Sequence, residues 1–241
     1  MDIISVKDYY EMSKKTCEYV VDQVNKLDRP VLGLATGSTP EGLYRQLIGQ
    51  YKEGHVSFNH VTTFNLDEYV GLAADDPNSY RYYMNEKLFN HIDLPEDRAF
   101  LPNGDEEDLA KECRDYEMLI RDSGHIDLQI LGLGLNGHIG FNEPGTAFDS
   151  RTHIVELDAS TRQANARFFP TMDDVPEKAI TMGIDTIMES KQIVLLVSGE
   201  KKADAVHQLV NGEITEEFPA SILQKHQNVT VVADKGALSR L

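Results

Sequence analysis

The sequence predicts an α/β fold, with one mainly parallel sheet carrying helices on both of its faces. Short apolar runs rich in β-branched residues recur at 31–35, 61–65, 128–133, 153–157, 180–183, 193–198 and 229–232. Helical patterns fill most of the gaps between them, as in DEEDLAKECRDYEMLIR at 105–121, where apolar residues fall at helical spacing. Strands that alternate with helices form βαβ units, and those units build parallel sheets. The runs IVLLV and LQILGLG are apolar without alternation, as strands covered on both faces must be. No repeat, low-complexity tract or linker interrupts the chain, so residues 1–241 are expected to form a single domain, for which the length is ordinary.

Composition narrows the partners. The formal charge of −17 favours solubility and leaves no basic footprint for a nucleic-acid backbone. An anionic ligand is repelled at long range, but salt screens that repulsion within about 8–10 Å. Such a ligand must therefore be held by local positive groups. No run approaches the roughly 18–20 apolar residues of a membrane span, and the N-terminus lacks the basic-then-apolar pattern of a secretion signal. Cys17 and Cys113 are too few for a disulfide framework or a thiolate metal site, and two scattered thiols suit a reducing cytoplasm.

In open parallel sheets, ligands bind beyond the carboxyl ends of the strands. Four of those ends are chemically distinctive. The first run is followed by Thr36, Gly37, Ser38, Thr39 and Pro40, then by a helical pattern. Gly37 permits a tight turn, Thr39 suits an N-cap, and Pro40 suits the first helical position. Backbone N–H groups and the helix dipole at such a turn attract phosphate. A plain capped strand–helix turn has the same residue types.

The second run ends at Asp67 and Glu68, two adjacent carboxylates that are unfavourable to bury unless paired or used. One of them, desolvated in a crevice, would titrate high enough to serve as a proton-transfer base. A solvated acidic turn is the bland alternative. The third run leads into GLGLNGHIGFNEPG at 132–145. Gly132, Gly134 and Gly137 formally spell a dinucleotide fingerprint, with Asp158 further on, but that fingerprint must open a helix, and this loop carries two more glycines and a proline. A loop this rich in glycine lets backbone approach a ligand closely while Asn136, His138 and Glu143 converge on it. One His and one Glu are too few for a metal. The last end, Gly199 to Lys202, offers a lysine able to reach a phosphate as a point charge. Arg162 and Arg167 lie in STRQANARFF, where most arginines are surface or ion-paired.

Taken in order, LGLATGSTPEGLYRQL, FNLDEYVGL, NSYRYYMNE, LGLGLNGHIGFNEPG, SRTHIVELDASTRQANARFF, AITMGI and LLVSGEKKADAV closely resemble the glucosamine-6-phosphate deaminase (isomerase) family over nearly the whole length. The resemblance implies a Rossmann-like single domain that turns glucosamine 6-phosphate and water into fructose 6-phosphate and ammonia with no cofactor and no metal. It implies that Asp67 moves a proton between C2 and C1 of the opened sugar, that His138 opens the ring, and that Glu143 is the acid assisting it. Thr36, Gly37, Ser38 and Thr39 match the family's phosphate loop, joined by Arg167 and Lys202. Asn136 stands where many members carry Asp; it can orient the imidazole but adds no charge. The basic residues that follow the SRT run in allosteric members are His153 and Val155 here, which points to a monomer or low-order homo-oligomer without that effector site. Two alternatives share parts of this pattern. A 6-phosphogluconolactonase needs no carbon base at Asp67, and a sugar-phosphate-sensing domain needs no catalytic side chains.

Overall fold

The computed structural model describes residues 1–157, 161–163, 166, 169 and 171–241, and its largest element is a seven-stranded sheet. The sheet contains β1 (Asp2–Val6), β2 (Val31–Leu34), β3 (Thr62–Asn65), β5 (Ala99–Phe100), β6 (Leu128–Gly132), β9 (Ile193–Val197) and β10 (Val229–Asp234). Its order is β1-β10-β9-β6-β2-β3-β5, and every neighbouring pair is parallel. From β2 the chain adds strands in one direction, and from β6 it adds them in the other. The gap between β2 and β6 is therefore the topological switch point, where open sheets of this kind leave a crevice.

Helices cover both faces, as the unbroken apolar strands predict. On one side lie α1 (Tyr9–Lys26), α2 (Glu41–Lys52) and α3 (Tyr80–Lys87). Met12, Val20, Val24, Leu43, Leu47 and Met84 from these helices pack on Leu32, Leu34, Leu128 and Ile130. On the other lie α4 (Leu109–Asp122), α5 (Ile184–Met188) and α6 (Ala203–Asn211), which bring Tyr116, Ile120, Ile187, Val206 and Leu209 onto Leu131, Leu195 and Val231. Helix α1 shows the local logic. Asp8 caps it by accepting the Glu11 N–H, and Met12, Thr16, Val20 and Val24 recur every fourth residue as a buried stripe. Truncating a fully buried anchor such as Leu43 to Ala costs about 2–5 kcal/mol.

Three features differ from the sequence reading. The runs at 153–157 and 180–183 do not join the parallel sheet: β7 (His153–Glu156) and β8 (Lys178–Thr181) pair antiparallel, and β4 (Asp67–Tyr69) pairs antiparallel with β8. This second, three-stranded sheet has its own small core of Tyr69, Phe141, Leu157, Phe169, Val175 and Ala179. Strands β1, β4 and β5, of five, three and two residues, carry too little pattern to be seen in sequence. Thr39 is not the cap of α2. Pro40 occupies that position without a side-chain bond, and the Gly42 N–H is satisfied instead by the Tyr9 hydroxyl at 2.7 Å. Among the described residues, no helix is long and apolar enough to cross a membrane.

Candidate active site

A cavity of about 520 Å³ opens at the switch point. Its lining includes Thr36, Gly37, Ser38 and Thr39 after β2, Asp67 after β3, Asn136 and His138 after β6, and Lys202 after β9. Four chain segments distant in sequence thus converge on one space. Glu143 stands beside that lining, in contact with Asn136 and near His138. Arg167 lies outside the described residues.

The turn after β2 is shaped for an anion. Gly37 takes φ +91°, a left-handed conformation that glycine adopts without strain. Lys202 reaches the same cavity from the turn after β9, where its Nζ donates to the Leu133 carbonyl at 2.6 Å. Burial lowers the pKa of this ammonium. The turn that carries Lys202 is held by Asp234, whose carboxylate accepts the Ser198 hydroxyl at 2.5 Å and the Gly199 N–H at 3.0 Å.

Asp67 and Glu68 share a position in sequence but not a role. Glu68 accepts three backbone N–H bonds, from Tyr69 at 2.8 Å and from Tyr80 and Arg81 at 2.9 Å each, the last two in the first turn of α3. It is a structural cap. Asp67 is 6% exposed, and its carboxylate receives no hydrogen bond among the described residues. Burial, with Glu68 next to it, pushes the Asp67 carboxyl up to about 8. A carboxyl that titrates there holds and releases a proton near neutrality.

His138 belongs to a relay with a defined polarity. The Glu143 carboxylate can only accept, so the Asn136 Nδ2 must face its Oε2, at 2.8 Å. The Asn136 Oδ1 then faces the His138 Nδ1 at 2.8 Å and accepts its proton. That assignment leaves Nε2 as the free ring nitrogen. The second oxygen of Glu143 accepts the Thr161 hydroxyl at 2.5 Å. Burial alone would raise the Glu143 carboxyl, but the His138 imidazole 3.6 Å away and hydrogen bonds from Thr161 and Asn136 together lower it to about 2. An ionised carboxylate accepts hydrogen bonds and donates none. Gly134 lies under the imidazole, and a methyl group at that position would collide with the ring.

One short stretch of backbone holds both Asp67 and the loop that carries His138. Thr181, at the end of β8, pairs with Asp67, and the Leu66 carbonyl accepts the Met182 N–H at 2.6 Å. The Thr181 hydroxyl also accepts the Phe141 N–H at 3.1 Å, and Asn142 Nδ2 donates to the Met182 carbonyl at 2.9 Å. Sequence reasoning missed Thr161 and Tyr80, both of which line the cavity. Tyr80 stacks on Phe141 with ring centroids 6.1 Å apart. Neither residue sits at a strand end, where the residue pattern marks a site.

A family profile described as glucosamine-6-phosphate isomerases/6-phosphogluconolactonase matches residues 7–232. The glucosamine-6-phosphate deaminase of Oceanobacillus iheyensis is 59% identical over 238 residues, which cover 99% of this chain and 95% of that protein. A solved structure of a monomeric glucosamine-6-phosphate deaminase superposes with a TM-score of 0.98 at 54% identity, covering all of both chains. The 6-phosphogluconolactonase of Thermotoga maritima, at 21% identity and a TM-score of 0.76 over 97% of this chain and 99% of its own, shares the fold alone. With the profile spanning nearly the full length and identity well above half, the chain belongs to the glucosamine-6-phosphate isomerase/6-phosphogluconolactonase family.

Proposed function

We propose that this chain converts glucosamine 6-phosphate and water to fructose 6-phosphate and ammonia, an aldose–ketose isomerisation coupled to loss of the amino group. The observation that carries the reading is a cavity that joins an anion seat, a near-neutral carboxyl and an oriented imidazole. Full-length identity of 59% to a deaminase supports it.

The phosphate sits on the N–H groups and hydroxyls of Thr36 to Thr39, with Lys202 as a point charge and Arg167 as a further cation. This remote anchor aligns C1 and C2 with the catalytic groups. His138 takes the anomeric hydroxyl proton at Nε2 and returns it to the ring oxygen, which opens the pyranose. Glu143 stays ionised, holds the Asn136 amide in one orientation, and offsets the positive charge that passes through the imidazole. Asp67 removes the proton from C2 as the C1 carbonyl oxygen takes one up, and delivers it to C1 as the amino group gives one up, leaving an imine at C2. Water adds at C2, and ammonia leaves to give the ketose. A lactonase has no use for a carbon base, and the high-titrating Asp67 disfavours that reading.

The monomeric solved relative, superposing over the whole chain, supports reading this protein as a monomer acting as one domain over 1–241. Two buried free thiols fit a reducing cytoplasm as its working compartment. The test is to incubate the pure protein with glucosamine 6-phosphate and assay ammonia and fructose 6-phosphate, with Asp67→Asn as the control. Wild type must form both products in equal amounts. Absence of either one refutes the reading, and a control that matches wild type removes Asp67 from the chemistry.

A further inference from the structure

Behind the turn at 35–39, three phenols from three different helices each hold one carbonyl of that turn. Tyr44 of α2 donates its hydroxyl to the Ala35 carbonyl. Tyr83 of α3 donates to the Gly37 carbonyl at 2.6 Å. Tyr9 of α1 donates to the Ser38 carbonyl at 3.0 Å and accepts the Gly42 N–H of α2 at 2.7 Å. Residues 35–39 line the cavity, but none of these three tyrosines does. The phenols therefore lie on the far side of the turn from the cavity.

A trans peptide places its N–H on the edge opposite its carbonyl. Pinning the carbonyls of Ala35, Gly37 and Ser38 outward thus aims the N–H groups of Thr36, Ser38 and Thr39 at the cavity. Among the described residues, none of these three N–H groups has a protein acceptor. Successive unpaired N–H groups that converge in this way form an anion-binding concavity. From these contacts we infer that Tyr9, Tyr44 and Tyr83 are positioning residues that hold the turn at 35–39 in its phosphate-binding shape before any ligand arrives. Burial raises the Tyr44 and Tyr83 hydroxyls well above the ordinary phenol range, so both remain donors throughout the pH range of catalysis.

The inference rests on the reading of this turn as the phosphate seat of the proposed deaminase. It adds that the geometry of the seat comes from residues that never touch the substrate. Preorganisation of this kind acts on binding, because it spares the ligand the ordering of the loop.

Calorimetric titration with inorganic phosphate, which reports the seat without turnover, tests it directly. Tyr9→Phe and Tyr83→Phe remove one hydroxyl each from half-buried positions, whereas Tyr44 is fully buried, so the first two variants carry the test if Tyr44→Phe does not fold. The expected result is a three- to tenfold weaker Kd for phosphate per lost hydroxyl, roughly the factor that one net hydrogen bond controls. KM for glucosamine 6-phosphate should rise in step, with kcat within about twofold of wild type. Folded Tyr9→Phe and Tyr83→Phe proteins that bind phosphate as wild type does would overturn the inference. So would variants that lose kcat while keeping Kd and KM, since that pattern places the phenols in the chemistry. A wild-type protein that gives no heat with phosphate removes the seat itself. A wild type that binds phosphate but forms no ammonia defeats the deaminase reading and leaves the phosphate titrations to decide the cradle.

Discussion

Asp67 and Glu143 are two carboxyls at one cavity, held in opposite electrostatic states. Asp67 sits on the strand side, where burial and Glu68 raise it to about 8 and no described group donates to it. Glu143 sits at the end of the glycine-rich loop, where Thr161 and Asn136 donate to it and the imidazole lies 3.6 Å away, so it falls to about 2. Burial acts upward on both. What separates them is the number of donors, none against several, and the neighbouring charge, an anion against an imidazole. The pair shows how one chemical group is raised into the neutral range on one wall and lowered on the other.

The comparison predicts unequal consequences when each member is changed. Asp67→Asn keeps the shape but removes the proton carrier, so kcat should fall by about 10³–10⁴ while phosphate binding is retained. Single-turnover assays of ammonia and phosphate titrations separate the two effects. Glu143→Gln removes the fixed charge and adds a donor where only acceptors belong, which releases the Asn136 amide to flip. A loss of about 10² in kcat is expected, and nitrogen NMR of the imidazole should show the Nδ1–H form giving way to a mixture. An unchanged tautomer would break the relay as drawn.

The raised carboxyl also has a signature in stability. Between about pH 4 and 8 the folded protein holds a proton on Asp67 that the unfolded chain has released, so this residue makes folding less favourable as pH rises through that window. Asp67→Asn should therefore be more stable than wild type at pH 9 by roughly 2–5 kcal/mol, and nearly equal to it below pH 4. Urea denaturation at the two pH values measures the difference. A carbon-13 titration should show one aspartate carboxyl moving near pH 8 in wild type and none there in the variant. The smallest effect concerns Thr161. Thr161→Val leaves Glu143 Oε1 without its donor and should lower kcat about fivefold, whereas Thr161→Ser should stay within about twofold. Equal losses in the two variants would mean that the methyl group, and not the hydroxyl, matters.

Sequence and structure agree most where backbone constraint writes itself into residue type. The strand ends at Gly37, Gly132–Gly145 and Gly199 were legible because left-handed turns and close approaches require glycine, and because parallel sheets bind at their carboxyl ends. Residue type offered Asp67 and Glu68 as a pair, and only the family resemblance singled out Asp67; the physical division depends on α3 bringing the N–H groups of Tyr80 and Arg81 to Glu68. The cap of α2 was misassigned for a similar reason. Tyr9, 33 positions away, supplies the bond that a local cap would have made. The antiparallel pairing of β4, β7 and β8 was invisible because strands of three and four residues carry no direction in their pattern.

The tie at Thr181 and Met182 has an architectural consequence. Both the strand bearing Asp67 and the loop bearing His138 are fastened to the same two residues, so the spacing of the two groups is set by β8. A shift of a single residue in β8 would displace both at once, with β8 as their common hinge-pin.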